Sequence, residues 1–465
     1  VAYDYDLVVI GAGPAGEKGA AQAAYFGKRV ACIEREAEPG GAAVHTGTLP
    51  SKTLRETALF LSGFRQREFY GLSVDLRPGA AIPRLMARKN AVIEAEVARL
   101  RWNLERHGVA LLRGAARFVD AHTIDLLGAG SPRRLTAEFF LVATGSRPFH
   151  PPGIPFDDDD VDDSDTILQL DRLPRSMLVV GGGVIGCEYA SIFAALGVAV
   201  TLVEGRARLL QFLDLEIAER LRVAMQTLGV TFRLGRTTRS IGRVAGRSGI
   251  LTVLDDGSEV LCEKVLASSG RSGATEHLGL EAIGVQVDAR GTIAVDGDYR
   301  TSAASVYAAG DVIGFPALAS TSMEQARVAV CHAFGIDYKR QVSRLLPFGI
   351  YTIPEVSSIG LSEEAAREQR VDVVVGRALY RDNARGKIVG DRDGVLKLVV
   401  ERATRKVAGC HCIGERASEL VHVGQAVMVL GGTVDVFLEM VFNHPTLGEL
   451  FKYAAYDALG ALQRA

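Results

Sequence analysis

Residues 6 to 34 read "DLVVIGAGPAGEKGAAQAAYFGKRVACIE" and residues 177 to 204 read "MLVVGGGVIGCEYASIFAALGVAVTLVE". Each is an apolar run, a glycine turn, an Ala-rich stretch of helical length and a second apolar run closed by an acid, which predicts strand, turn, helix and strand. Gly11, Gly13 and Gly16 stand 170 positions before Gly181, Gly183 and Gly186, and Glu34 stands the same distance before Glu204. One unit has been used twice. In such a unit the first glycine permits a tight turn, the second lets backbone approach a pyrophosphate, and the third lets helix pack closely on strand. Free N–H groups at the helix start face the phosphates, and the terminal acid accepts hydrogen bonds from a ribose diol. A lone glycine motif is weak evidence. Two complete copies predict two dinucleotide sites.

Other segments fit that plan. "FFLVATGSRP" (139–148) and "KVLASSGRSG" (264–273) each run an apolar strand into a small-residue turn, as if each closed one unit. "SVYAAGDVIGFPALASTSMEQARVA" (305–329) places Asp311 at a strand end, where it can hold a sugar hydroxyl, before a helix starting near Ala319 that can stabilise negative charge.

At 465 residues the chain exceeds a single hydrophobic core, so two to four domains are expected. Hydrophobic residues at 48% and charged residues at 23% place it among globular α/β proteins. A formal net charge of -2 gives no electrostatic case for nucleic acid or an anionic membrane. The most membrane-like stretch, 176–203, is interrupted by Glu188 and glycines and reads as strand, turn and helix. The N-terminal "VAYDYDLVVIGAG" lacks the cationic flank and cleavage site of a signal peptide, which sets a cytoplasmic expectation. The six cysteines, Cys32, Cys187, Cys262, Cys331, Cys410 and Cys412, lack a zinc or disulfide spacing and suit a reducing compartment. In "KVAGCHCIG", strand alternation puts Cys410 and Cys412 on one face, read as core packing rather than a metal or redox pair. The acid run "FDDDDVDDSD" (156–165) reads as a solvated linker face rather than a metal site.

Residues 40 to 52, "GGAAVHTGTLPSK", look like the frame of a redox-active cysteine pair, yet Ala43 and Thr48 stand where the sulfurs would sit. Together with the two glycine motifs, "ATGSRP", "GCEYA", "AAGDV" and the C-terminal "HPTLGE", this stretch resembles the FAD-dependent pyridine nucleotide-disulfide oxidoreductases over essentially the whole chain. Within that family, "GVIGCEYASIF", "GDVIGFPALAS", "GIYTIPEVSSIG" and "HVGQAVM" are most similar to the soluble pyridine nucleotide transhydrogenases, whose cysteine pair is also incomplete.

The resemblance implies an α/β fold with two Rossmann-like dinucleotide-binding domains and a C-terminal α+β dimerisation domain. It implies an FAD-binding part over 1–148, an NAD(P)-binding domain over 149–272, a central domain completing the FAD site over 273–342, and a dimerisation domain over 343–465. FAD would lie against Gly11, Gly13, Pro14, Ala15, Gly16, Glu34, Gly41, Thr48, Lys52, Gly114, Thr144, Gly145, Asp311, Ala317, Leu318 and Ala319. NAD(H) or NADP(H) would lie against Gly181, Gly183, Val184, Ile185, Gly186, Glu188, Glu204, Arg206 and Gly270. Lys52 and Glu188 match a lysine and glutamate that pair beside flavin N5 in relatives. His444 and Glu449 match a pair that reaches the partner subunit's active site in disulfide reductases, where the histidine serves the thiols as acid and base. The transhydrogenases carry tyrosine at the place of His444, so both an inherited dimer contact and a protonation role stay open for it. No metal is implied, and the partners would be nicotinamide dinucleotides and a second copy of the chain.

Without thiols, reducing equivalents on the flavin must leave to a second nicotinamide or another acceptor. Hydride exchange between NAD(H) and NADP(H) through FAD in a ping-pong cycle is the leading expectation. A thiol-free NAD(P)H dehydrogenase passing electrons to quinone, dye or oxygen, and a non-enzymatic FAD/NAD-binding sensor, are the alternatives. Nucleotide preference sits awkwardly with the first: Glu204 welcomes a bare 2′-hydroxyl and repels a 2′-phosphate, while Arg206 or Arg208 could pair with that phosphate.

Overall fold

The computed structural model describes residues 2–63, 78–128, 132–244, 246 and 248–464. The chain forms two compact units, one of Val1–Thr53, Met86–His150 and Ser269–Ser343, the other of Leu54–Leu85, Pro151–Ser268 and Arg344–Ala465.

In the first unit the strand Tyr5–Ile10 runs parallel between Val30–Glu34 and Arg133–Val142. Ala110–Arg113 lies beyond Val30–Glu34, and Val306–Ala308 lies beyond the end of Arg133–Val142, both also parallel. The start of Arg133–Val142 pairs antiparallel with Thr123–Leu127, which pairs in turn with Ala115–Asp120. Val8 and Ile10 enter a cluster with Phe118 and Phe140. Leu7 and Val9 enter the opposite one with Ala20, Ala23, Ala326 and Ala329, from the helices Pro14–Tyr25 and Ala319–Ala333. Burial on both faces is why "LVVI" (7–10) is an unbroken apolar run. The alanines are small for a reason: a Cβ on Gly19 would already lie 2.5 Å from Leu141 Cδ2.

The second unit repeats this plan. Its nucleotide half is a 5-stranded sheet in the order Thr231–Leu234, Ala199–Glu204, Ser176–Val180, Lys264–Ala267, Val161–Asp162, all parallel. An antiparallel set, Thr238–Gly242, Ile250–Leu254 and Glu259–Cys262, precedes the fourth-placed strand, as in the first unit. The duplication therefore reaches beyond the motif to the strand order. The stretch 176–203 forms strand, helix and strand, and among the described residues no helix is long and apolar enough to cross a membrane.

Residues 344–465 build a 5-stranded antiparallel sheet in the order Phe348–Ile350, Val356–Gly360, Val407–Ile413, Val395–Glu401, Val373–Leu379. Leu396, Leu398, Cys410 and Cys412 face the helices Ala417–Val429 and Glu449–Gln463. The two sulfurs thus share a face and serve as core; burial pushes the Cys410 thiol up and the Cys412 thiol up to about 12. All six cysteines are free and buried. Among the described residues no cluster of His, Cys, Asp and Glu could hold a metal ion.

Lys397, between Leu396 and Leu398, projects the other way into a buried cluster of ions. Its Nζ lies 2.9 Å from Asp214, 3.0 Å from Glu363 and 3.4 Å from Glu216, and Arg377 pairs with Glu216 at 2.8 Å. Asp214 also caps the helix Leu215–Thr227, while the adjacent buried His411 donates through Nε2 to Leu361 O at 2.9 Å. Burial pushes the Asp214 carboxyl up, but Lys397 and His411 outweigh it and hold it below the usual range.

The acid run differs from expectation. Asp158 and Asp160 are gripped by Arg243 at 2.6 and 2.8 Å, and the buried Lys264 pairs with Asp162 at 2.8 Å. Three of its aspartates are paired and hold the segment within the second unit, rather than leaving it a solvated linker. Arg243 and Lys264 lie 85 and 102 residues beyond their partners, so these pairings are not visible in the run itself, and the nearer Arg172 reaches Asp160 at 3.4 Å.

Candidate functional site

In the first unit, Gly11 turns at φ +102°, and a Cβ on Gly16 would lie 1.8 Å from Gly11 O. Helix and turn therefore meet at a distance only hydrogen allows. Gly13 precedes the helix with no side-chain cap and Pro14 opens it, so the outward N–H groups of its first turn are not taken by a cap. The Glu34 carboxylate accepts from Ala12 N and Glu36 N, each at 3.0 Å. Gly114 N donates to Glu34 O at 2.9 Å, fixing the loop beside that acid.

The other first-unit candidates gather around this turn. A Cβ on Gly41 would sit 3.0 Å from Gly13 Cα, and one on Gly310 would sit 3.2 Å from Ala15 Cβ. Asp311 Oδ2 accepts from Ser146 Oγ at 2.8 Å, and Ser146 Oγ accepts from Arg271 Nε at 2.8 Å. Thr144 Oγ1 is buried without a hydrogen-bond partner among the described residues, and Gly145 beside it turns at φ +71°. Ala317 and Leu318 lead into the helix beginning at Ala319, which also lacks a side-chain cap. Thr48 is exposed at the start of the helix Thr48–Ser62, Ala43 is half-buried, and Lys52 Nζ lies 3.3 Å from Ser51 Oγ. His45 is engaged with Pro39 O at 3.0 Å.

The second unit reproduces the geometry. Gly181 turns at φ +104°, and a Cβ on Gly186 would lie 1.9 Å from Gly181 O. Glu204 accepts from Gly182 N at 2.7 Å and from Arg206 N at 2.9 Å, the same two amides that hold Glu34. Val184 and Ile185 open the helix Val184–Ala195, uncapped like its counterpart. A Cβ on Gly183 would meet nothing within 4 Å, so the backbone there borders open space. Glu188 is buried, and its Oε1 accepts from Tyr351 N at 2.9 Å. Gly270 falls instead in the first unit, where its carbonyl accepts from Phe149 N at 2.9 Å.

His444 and Glu449 come together: His444 Nδ1 donates to Glu449 Oε1 at 3.0 Å, and Thr446 N donates to Oε2 at 3.1 Å. The imidazole hydrogen bond holds the Glu449 carboxyl below its usual range. The histidine itself is exposed.

Residues 5–333 match the family model of the pyridine nucleotide-disulphide oxidoreductases, and 346–455 match that family's dimerisation domain. The chain belongs to this family. It is 47% identical over 464 residues to a soluble pyridine nucleotide transhydrogenase of Mycobacterium tuberculosis, spanning 99% of this chain and 98% of that protein. It is 41% identical to the soluble pyridine nucleotide transhydrogenase of Pseudomonas fluorescens, over 99% of each. Among solved structures it is similar to LpdA from Mycobacterium tuberculosis, at TM-score 0.89 and 29% identity over 97% of this chain and 99% of that one. It is also similar to the HOCl-induced flavoprotein disulfide reductase RclA from Escherichia coli, at TM-score 0.86 and 28% identity over 96% of this chain and 99% of that one.

FAD and NAD(P)(H) are the cofactors this membership implies, and the residues present fit them. The orphaned Thr144 hydroxyl lacks an acceptor or donor that a ligand can supply. The open face of Gly183 is a space that a Cβ would fill. Glu34 keeps lone pairs beyond those its two amides use, whereas the acceptor sites of Glu204 are taken by its two amides and the Arg206 guanidinium.

The sequence reading passed over Arg55, one helical turn beyond Lys52. It is among the largest fully buried side chains; its Nε donates to Thr352 O at 2.9 Å and its Nη1 pairs with Glu355 at 3.0 Å. It thereby braces the segment whose Tyr351 N–H holds Glu188. The available signal was a lone arginine among the apolar residues of "TLRETALF".

Proposed function

We propose that the chain is a soluble transhydrogenase that moves hydride between NAD(H) and NADP(H) and works as a homodimer in the cytoplasm. The observation that carries this reading is the pairing of two complete dinucleotide cradles with Ala43 and Thr48 at the places of the missing sulfurs. FAD, when bound, supplies reversible hydride acceptance. The chain's own part is to position and to tune: Lys52 contributes a cation and Glu188 a carboxylate oriented by Tyr351 N–H. The two glycine turns fix where each dinucleotide backbone lies, which places the reacting rings without a protein nucleophile. The exposed His444 has no thiol to serve, and its pairing with Glu449 supports an inherited interface contact.

Anaerobic stopped-flow mixing tests the reading. NADH should bleach the flavin absorbance, and subsequent addition of an NADP+ analogue should restore it, while lipoamide or glutathione disulfide leaves it bleached. Restoration only by quinone would replace the reading with a dehydrogenase. Restoration by a disulfide would assign a redox role to the buried cysteines.

A further inference from the structure

The chain from Tyr351 to Glu355 is held on two sides within the second unit. On one side lies the helix Val184–Ala195: Tyr351 N donates to Glu188 Oε1 at 2.9 Å, and Ile353 N donates to Ser191 Oγ at 3.1 Å. Ser191 Oγ donates onward to Glu188 O at 2.8 Å, so alternate amides of the segment are sewn to one turn of that helix. On the other side stands Arg55, its side chain 2% exposed. Its Nε donates to Thr352 O at 2.9 Å, and its Nη1 pairs with Glu355 Oε1 at 3.0 Å. Glu355 is itself fixed: its backbone O accepts from Gly414 N at 2.9 Å, and its Oε2 accepts from Ser418 Oγ at 2.9 Å.

We propose that Arg55 is a positioning residue for hydride transfer: it fixes the segment whose Tyr351 N–H orients the Glu188 carboxylate. The proposal rests on the part of the transhydrogenase reading that gives Glu188 the task of tuning the reacting rings. It goes beyond that reading by naming what sets Glu188 in place.

Several features support placement over simple stability. The Thr352 carbonyl that Arg55 grips and the Ile353 N–H that meets Ser191 belong to one planar peptide, so fixing the first sets the direction of the second. The Tyr351 amide is the next but one along the chain. Arginine suits the task, because its rigid fork serves a carbonyl and a carboxylate at once. A buried ion pair is a weak source of stability, since well-packed apolar residues do as well, so burying a whole guanidinium here fits an orienting role better. Lys52 stands three residues before Arg55 on the helix Thr48–Ser62. One helix thus carries both the tuning cation and the residue that sets the tuning carboxylate.

Anaerobic stopped-flow reduction of the FAD-containing protein at rising NADH concentration separates the limiting rate from the Kd. Arg55→Met should keep its flavin, bind NADH within about twofold of wild type and reduce the flavin at least about tenfold more slowly, because misplacement near the reacting groups falls on the rate. Arg55→Lys, which keeps a charge and a donor, should recover part of that rate. Arg55→Met combined with Glu355→Gln leaves no buried carboxylate without its cation, and should show the same slow reduction if the single variant does not fold. Glu188→Ala should also be slow, and adding Arg55→Met to it should cost no more than about twofold further, since both changes act on one group. A wild-type limiting rate in a folded Arg55→Met protein, a loss confined to Kd, losses that multiply in the Glu188→Ala background, a wild-type rate in Glu188→Ala itself, or failure of both Arg55→Met proteins to fold would overturn the proposal. If the rates behave as stated but NADP+ never reoxidises the wild-type flavin, the transhydrogenase reading fails while this assignment stands.

Discussion

Gly16→Ala is expected to purify almost colourless, with FAD affinity lowered at least about tenfold, which a loss of about 1.4 kcal/mol in contacts to the phosphates suffices to produce. The added methyl would lie 1.8 Å from Gly11 O, so the helix must retreat from the turn whose amides it presents to the phosphates. Gly186→Ala meets Gly181 O at 1.9 Å and should produce the matching loss in the second cradle. That protein should stay yellow yet be reduced by NADH only at greatly raised concentration. Gly183→Ala separates folding from binding. Its methyl meets no protein atom within 4 Å, so melting should be unchanged while nucleotide binding falls. Flavin absorbance per protein and NADH titration decide the matter; full flavin content in Gly16→Ala would refute the placement.

Lys397→Met should cost about 3–5 kcal/mol, the usual penalty for removing one partner of a buried ion pair. Asp214, fully buried, would be left facing Glu216 and Glu363 without its ammonium partner, the nearby arginines Arg377, Arg220 and Arg367 pairing with those glutamates rather than with Asp214. Asp214→Asn in the same chain should recover much of the loss, because Asn still caps the helix Leu215–Thr227 without a charge. The effect has a defined pH window. Asp214 has a lowered folded pKa, so its contribution is complete above the unfolded value near ~4 and disappears as pH falls through the folded one. Lys397 is raised by Asp214 and Glu363 against the opposing pull of burial, so its contribution is complete below ~10.4 and disappears above its folded value. Denaturation curves of the two proteins should differ by a constant amount between about pH 5 and pH 10 and converge in acid. A gap that persists below the pH at which Asp214 takes up its proton in the folded protein would mean that lost alkyl packing, not charge, is responsible.

These two experiments address features of very different visibility in sequence. Gly16 and Gly186 were legible because the glycine spacing is dictated locally, by one turn and the helix that follows it. The repeat even anticipated that Glu34 and Glu204 would occupy equivalent places. Lys397 was hidden inside the strand run "VLKLVV", and its partners come from residues 214, 216 and 363. Only the fold brings them together. Arg55 was obscured for the same reason, its partners Thr352 and Glu355 lying some 300 residues downstream. The choice between Arg206 and Arg208 could not be read from "RAR", since it depends on which side chain the loop turns toward Glu204.

The strapping of the acid run by Arg243 and Lys264 has a practical consequence for dissecting the molecule. A string of aspartates after a Pro-rich turn invites a protease, or an experimenter, to cut within it. Asp158, Asp160 and Asp162 are instead tied to strands and loops that follow them by some hundred residues. A fragment trimmed to begin at the second glycine motif would discard the carboxylate that pairs with Lys264, together with the strand Val161–Asp162 that lies beside Lys264–Ala267. The cut that preserves the nucleotide half falls before Pro151, with every aspartate retained.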